Sequence, residues 1–579
     1  MKKLLLFIFF LFPNILFSQL IINELMINNV SAVMDESYNY SMWVELYNPS
    51  TTTAYNQINF YFTDDLTQPK KWRPLSKLIN ARGYNVLWFE SSDKSGHASF
   101  KLEPGGGTLY MFNTNEQLVD LVVYPSQYRN TSYGRKTDGS NEWVFFTDHS
   151  AGKTNNGKKY AAEQCSKPEF ITPGGFYKNP ITISLASPMT GDTIYYTRDG
   201  AEPTRSHTLY TPGSVIGINN TSIVRARCFS GNKPASDIVS KTYFINERNF
   251  KLPVVSIITE QKNLTDNTIG IYVQGTNGIT GNGMNTPANW NQDWWRPANF
   301  ELYDTTLTAR LNQELDIQIA GGWTRMNGQK TLKINPRNKF GKNMLNYDIF
   351  ATTKPKMKYR SILFRNSGND FDHSMMRDGY MQSLVMKRMN LDYIAYEPAV
   401  CFMNGVYYGI QNLRERTDED FIYSNYGYEE DEIYLLESWE MNSDMEYKKL
   451  TNYITYNDIT QKAVYDSVCK MMDIDNYMDY FLSEIYLRNT DWPHNNMKVW
   501  KKKTGGKWRW ILYDTDFGYS IWDHDHTHNT LIWALGEEAG SLPADAPWST
   551  LLLRRLVLNE TFKKRFIDKF AIQISSTFE

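Results

Sequence analysis

RNTDWPHNNMKVWKKKTGGKWRWILYDTDFG, residues 488–518, is the stretch on which the reading of the whole chain turns. It holds Asp491, then Asn495 and Asn496, then a hairpin tip with Gly505 and Gly506, then Asp514, Asp516 and Gly518. Chemistry asks for this set where a hydroxyl is deprotonated beside a metal-bound triphosphate. One carboxylate takes the proton, an amide a few residues on holds a metal ion, and a carboxylate on the next strand bridges metal to phosphates. Each piece alone is common; their order, with a strand–turn–strand between them, makes the case. Just upstream, DIDNYMDYFLSEIYLRNT (473–490) reads as a helix, with Asp473 as N-cap and Tyr477, Tyr480, Phe481 and Ile485 on an apolar face. Asp491 then leaves from the end of a rigid element, a good position for a base.

Asp491 and Asn496 have the spacing of the Asp and Asn of a protein-kinase catalytic loop, and Asp516-Phe517-Gly518 reads as DFG. With Asn495-Asn496 and Tyr513-Asp514-Thr515-Asp516, the stretch resembles the CotH kinase family of spore-coat and secreted atypical kinases. That family's pattern is an Asp, a short gap ending in Asn-Asn, an aromatic strand, then Trp-Asp-x-Asp or Trp-Asp-x-Asn. Tyr513 stands where Trp is usual. Because the last position of the pattern can be Asn, the resemblance makes Asp514 the indispensable metal ligand and Asp516 the auxiliary one. The DFG analogy reverses the two, and both assignments stay open.

Working upstream, IQIAGGWTR (317–325), a turn with Gly328, and QKTLKI (329–334) read as strand, Gly-bearing turn, strand. Backbone N–H groups of such a turn can meet phosphate oxygens, and a lysine on the next strand supplies countercharge; a plain hairpin has the same pattern. The CotH family carries Arg and then Gln-Lys-Ser here, which makes Arg325 and Lys330 the phosphate-binding candidates, with Thr331 in place of Ser. Lys333 lies on the opposite strand face from Lys330, so the two cannot serve one site, and Lys330 is preferred. Met376 to Met389 has helical apolar spacing and opens on the family's Arg-Asp as Arg377-Asp378, although an Asp in a first turn also simply satisfies the helix dipole. AVCFMNGVYYGI (399–410) is a hairpin on Asn404-Gly405. It runs to Glu415, where the family has a Glu, so Glu415 is a candidate to orient Lys330 or ligate metal.

The N-terminal half is patterned for strands. Residues 20–156 contain IINELMI, MWVELYN, INFYFTD, YNVLWFE, TLYMFN and LVDLVVY, short runs between turn clusters, which predicts a sandwich. Ile22-Asn23-Glu24, Trp43 to Asn48, Phe62 to Asp65 and Ser132 to Arg135 resemble the lamin-tail domain, an immunoglobulin-like module. Glu24, Glu45, Asp64 and Asp65 invite a calcium reading, but Asp and Asn so often simply make turns that turn and edge roles are the preferred reading. After a polar linker, residues 168–245 form a second β module. There Tyr195 to Gly200 followed by Glu202-Pro203-Thr204 resembles the small C-terminal domain of chitobiase and β-hexosaminidase enzymes, an accessory module and not their catalytic barrel.

Length and composition agree with several modules: 579 residues, 15% aromatic, and a formal net charge of −2 that gives no support for a nucleic-acid partner. Met1-Lys2-Lys3 before LLLFIFFLF predicts a signal peptide at 1–18, hence an exported protein, secreted or at the cell surface. No later run is long and apolar enough for a transmembrane helix. Of four cysteines, Cys165 and Cys228 can pair, while Cys401 and Cys469 read as buried thiols. His524, His526 and His528 alternate with Asp residues and suit a transition metal if extended, or form a polar loop. Residues 549–578 read as helical, and whether the gene product extends past 579 stays open. The fold expectation is multidomain: two all-β, immunoglobulin-like sandwich modules before an α+β atypical kinase-like (CotH) domain at 253–579.

The functional expectation is an exported kinase transferring the γ-phosphate of ATP to a protein or surface-glycan hydroxyl. Asp491 is its base, Asn496, Asp514 and Asp516 hold Mg²⁺ or Mn²⁺, and Lys330, Arg325 and Glu415 serve the nucleotide. Because ATP is scarce outside a bacterial inner membrane, a catalytically idle kinase fold in a surface adhesion or scaffold protein is the alternative. A carbohydrate-active enzyme is the weakest reading, since no pair of catalytic carboxylates can be assigned.

Overall fold

The computed structural model describes residues 19–90, 95–159, 163–281, 284–522 and 527–579. The signal-peptide segment and His524 and His526 lie outside them. Among the described residues the N-terminal region is all β apart from one short helical turn, a single-turn helix at Gln261–Thr265 follows, and longer helices begin at Arg377–Val385. In the first module a six-stranded sheet built around Ile21–Met26 and Met42–Tyr47 faces a three-stranded sheet of Phe60–Thr63, Gly106–Asn113 and Leu118–Pro125. Alternate residues of both meet in one core that includes Ile22, Val44, Leu46, Phe62, Leu109 and Met111, the period of two expected of strands with one face inward.

The middle module centres on a five-stranded sheet whose inner strands are Val239–Ile245, Ser222–Phe229 and Thr193–Thr197. Cys165 and Cys228 share its core, yet both are free thiols, so the pairing open to them is not made. Burial pushes the Cys228 thiol up to about 11, leaving it an inert packing group. Cys401 is buried, while Cys469 is only partly so.

The third region opens on a closed seven-stranded barrel, in order Val254–Ile258, Arg296–Tyr303, Ala309–Ile319, Leu332–Asn335, Ile362–Arg365, Val406–Arg414 and Tyr396–Met403. Closure leaves no free sheet edge. Val255, Phe300, Leu315, Ile317, Leu332, Ile334 and Phe364 fill it. Beside it, a four-stranded sheet (Asp392–Tyr393, Arg509–Leu512, Lys498–Lys502, Ile433–Glu437) packs on the helix Ile474–Leu487. The Asp473 carboxylate accepts from the Asn476 amide at 3.1 Å, and Tyr477, Tyr480 and Phe481 lie in the largest core. Arg488 ends that helix in the left-handed region (φ 55°). Helices Pro547–Leu556 and Glu560–Ile574 close the region through Leu553, Leu556 and Phe562. The cleft between barrel and four-stranded sheet is where the site lies.

Candidate active site

Asp491 follows the Ile474–Leu487 helix, held in place by its own amide donating to Asn489 Oδ1 at 3.1 Å. Asn495 donates to both Asp491 oxygens at 3.2 Å, and Asn496 to Oδ2 at 2.8 Å. With its amide nitrogen spent on Asp491, Asn496 keeps its carbonyl oxygen as the atom able to ligate a cation. Burial, with the charge of Asp514, pushes the Asp491 pKa up to about 6 against these hydrogen bonds. That is the range of a working general base.

Asn496 and Asp514 both take left-handed backbone, φ 50° and 53°, a strained choice for residues with a Cβ that recurs at functional sites. The bend at Asp514 ends strand Arg509–Leu512 and starts the short helical turn Thr515–Phe517, so that Asp514 and Asp516 both line one cleft with Asp491 and Asn496. The cleft measures about 690 Å³. Asp516 is almost fully buried and accepts from the Asn369 amide at 2.9 Å. Burial first, then the charge of Asp514, raises its pKa, and Arg365 opposes them.

Two residues that the motif reading left unassigned complete this corner. Arg365 Nη2 donates to Asp514 at 2.5 Å and to Asp516 at 2.7 Å. Burial works against its charge, but Asp514, Asp378 and Asp516 outweigh burial. Asp378, matched to the family's Arg-Asp with the helix dipole as a sufficient alternative, is buried between Arg414 and Arg365 and accepts from the Thr515 amide at 3.1 Å and hydroxyl at 2.8 Å. It therefore pins the Asp514–Asp516 turn. Arg365 ends its strand 149 residues before Asp514, and no local pattern connects the two.

The nucleotide-side expectations need correction. Lys330 does not enter the cleft: its ammonium donates to the Arg325 and Asn327 carbonyls at 2.6 and 3.0 Å and lies 4.2 Å over the Trp290 ring. The cause is strand parity. Leu332 and Ile334 point into the barrel, and Lys330, two residues earlier, follows them to its end. Lys333, on the other face, lines the cleft with Thr331. Its ammonium donates to Gln318 at 2.7 Å, and burial lowers its pKa to about 8. Arg325 turns away too, donating to the Gly321, Trp290 and Asn291 carbonyls. Glu415 is buried against Lys354 (2.8 Å) and the Ala395 amide (3.0 Å), and touches neither Lys330 nor the cleft. Gly321 and Gly322 do line the cleft, as does Arg416.

Elsewhere, Glu24 accepts from Ser150 and Ser132, Glu45 from Asn23 and the Gly152 amide, Asp64 from Lys71, and Asp65 from its own turn. Glu24 and Glu45 face each other across two inner strands as buried sheet residues, not edge groups, but Asp64 and Asp65 follow a strand of the other sheet, so the four do not gather into the calcium site considered.

The donors of the cleft suit a hard divalent cation: Asp514, Asp516 and the Asn496 carbonyl are all oxygen ligands. Gly368 completes the cradle. A Cβ there would stand 2.0 Å from Asp516 Oδ2 and 2.4 Å from Arg365 Nη2.

Residues 317–579 match the family model "CotH kinase protein", and residues 172–240 match "Chitobiase/beta-hexosaminidase C-terminal domain". No curated protein matches the chain. A crystal structure of murine CEACAM1b is similar over 39% of this chain and 100% of its own, at 10% identity and a TM-score of 0.12. The chain thus carries a CotH kinase protein region at residues 317–579, behind a chitobiase/hexosaminidase C-terminal domain at residues 172–240.

Proposed function

We propose that this cleft transfers the γ-phosphoryl group of ATP to a hydroxyl acceptor. The observation that carries the reading is the meeting of Asp491, Asn496, Asp514 and Asp516 in one cleft with Lys333 and the Gly321-Gly322 turn. Asp491 takes the acceptor proton, and Asn495 and Asn496 hold its carboxylate in place. Asp514, Asp516 and the Asn496 carbonyl would hold Mg²⁺ or Mn²⁺. When bound, such an ion neutralises phosphate charge and lines up the leaving group. Arg365 then has to yield part of its hold on Asp514 and Asp516, and Asp378 is placed to keep its guanidinium nearby. Lys333 and Arg416 supply countercharge, and glycine amides at 321 and 322 can approach phosphate oxygens closely.

The leader read at residues 1–18 makes this an exported or surface enzyme acting on a protein or glycan hydroxyl. Residues 20–156 read as a lamin-tail-like, immunoglobulin-like module, supported by their two facing sheets. One observation favours an idle fold in a surface scaffold instead: Arg365 already bridges the two carboxylates that would hold the ion.

The deciding experiment is phosphate incorporation from γ-labelled ATP with Mg²⁺ or Mn²⁺, with generic acceptors, in the parent, Asp491→Ala and Asp514→Ala. Label in the parent that disappears in both variants supports transfer. No label, together with no thermal shift on adding nucleotide and metal, supports the scaffold reading.

A further inference from the structure

A second cluster of ionisable groups lies far from the cleft residues in sequence, in the first module. His97 opens the strand His97–Ala98, Glu90 follows the adjacent strand Tyr84–Phe89, and Asp35 sits in the loop between the first two strands. One ligand atom from each of Asp35, Glu90 and His97 lies within 4.8 Å of the others, close to the largest separation, about 4.6 Å, that one ion bound at about 2.0–2.3 Å from each donor spans. The His97 side chain is only 1% exposed.

Its two nitrogens are in different situations. Nε2 is 2.7 Å from Glu36 Oε1 in hydrogen-bond geometry. Nδ1 is 2.7 Å from Glu90 Oε1, an ion-pair distance, and although burial opposes it the two carboxylates raise the His97 pKa, so that without an ion His97 bridges them as an imidazolium. An ion entering beside Nδ1 displaces the proton there, while Glu36 keeps accepting from Nε2–H, which is how metal-binding histidines are usually held.

A proton count points the same way. Ser41 Oγ lies 2.7 Å from Asp35 Oδ2 and 2.6 Å from Glu90 Oε2, but a hydroxyl has one proton to donate. One of these close O···O contacts therefore needs a further proton or a positive charge nearby, which the His97 imidazolium or a bound cation supplies.

We infer that His97 Nδ1, Asp35 and Glu90 form a binding site for a divalent transition ion such as zinc or manganese, which locks the loop of residues 27–41 to its own sheet. One nitrogen with carboxylate oxygens suits these ions, whereas calcium prefers a larger shell of oxygens only. The locked loop is the one that docks on the barrel. The Tyr38 carbonyl accepts from Arg296 at 2.8 Å, Asn39 Oδ1 accepts from the Trp295 amide at 3.1 Å, and the Tyr38 ring meets Trp294 edge-on. The ion ties the first module's sheet to its contact with the barrel.

The test uses the full chain carrying Asp514→Asn and Asp516→Asn, so that the cleft cannot account for bound metal. After chelation, zinc or manganese is added back and bound metal is counted. One equivalent is expected, with a melting temperature about 3 °C higher, and both effects vanish on adding His97→Gln. No uptake by the folded parent, or uptake that His97→Gln leaves unchanged, overturns the proposal. Should His97→Gln fail to fold, Mn²⁺ in the parent is read by electron spin echo. Coupling to an imidazole nitrogen that Asp35→Asn abolishes supports the site. A signal without that coupling overturns it and leaves a protonated His97 between Glu36 and Glu90.

Discussion

Asp491 keeps 26% of its side chain exposed, enough to meet an acceptor, while burial lifts its pKa to about 6. A base works ionised, so kcat/KM should rise about tenfold per pH unit below 6 and level off above it. A pH–rate profile checks this, and Asp491→Asn should cost about 10²–10⁴ in rate at pH 8. The same shift has a sign for stability. The folded chain keeps this proton up to about pH 6 and the unfolded chain only to about pH 4, so the contribution is full below pH 4 and lost as pH rises through 6. Lys333 and Lys330 make a paired test, because one lines the cleft and the other binds carbonyls at the barrel end. Lys333→Met should lower kcat/KM for ATP by about 10², the scale of one lost charge contact to phosphate. Lys330→Met should leave it within about twofold. Steady-state kinetics on the two variants separates them.

At the scale of elements, the cleft depends on how three chain segments end. The Ile474–Leu487 helix stops at a left-handed Arg488, the strand Arg509–Leu512 stops at a left-handed Asp514, and the strand Ile362–Arg365 runs into Gly368 at φ 64°. Only glycine fits the last position, since a Cβ would overlap Asp516 Oδ2. Gly368→Ala should therefore displace Asp516, cutting metal-dependent transfer at least tenfold and costing about 1–2 kcal/mol of stability. Metal titration of activity beside denaturant melts reads both effects. The helical segment beginning at Arg377 shows how an element can be expected correctly while its purpose is missed. Its Asp378 sits in a first turn, as a dipole argument requires, but is buried against two arginines and the Thr515 amide.

Across the whole molecule, the three regions meet at buried charge as well as apolar surface. Arg129 of the first module pairs with Glu202 of the second at 2.6 Å and with Glu314 of the barrel at 2.7 Å, while Phe244, Tyr303 and Phe402 pack the second against the third. Removing one member of such a network strands the others in a dry site, typically at 3–5 kcal/mol. Arg129→Ala should turn a single calorimetric transition into two or more. Burial opposes the Glu202 charge, but Arg129 and Arg225 outweigh it and hold its pKa down to about 2. Its contribution is complete above the ordinary carboxylate range and is lost as pH falls toward 2, so uncoupling of the regions is expected on acidification, and melts at pH 7 and pH 3 should differ in transition number.

Much of this protein could be read from residue order alone, because local physics writes it there. Alternation of apolar residues marks strands, Asp473 and the aromatic face of 474–487 mark the helix, and Asp491, Asn496, Asp514 and Asp516 lie within one short stretch that a helix exit and a hairpin can bring together. The tertiary structure decided what depends on distant partners. Lys333 replaced Lys330 because barrel closure set which strand face looks outward. Arg365 and Asp378 joined the site through contacts spanning 149 and 137 residues, and Cys165 and Cys228 packed as thiols without bonding. Period and spacing constrain near neighbours; which face meets which across a closed barrel is settled only when every strand is in place.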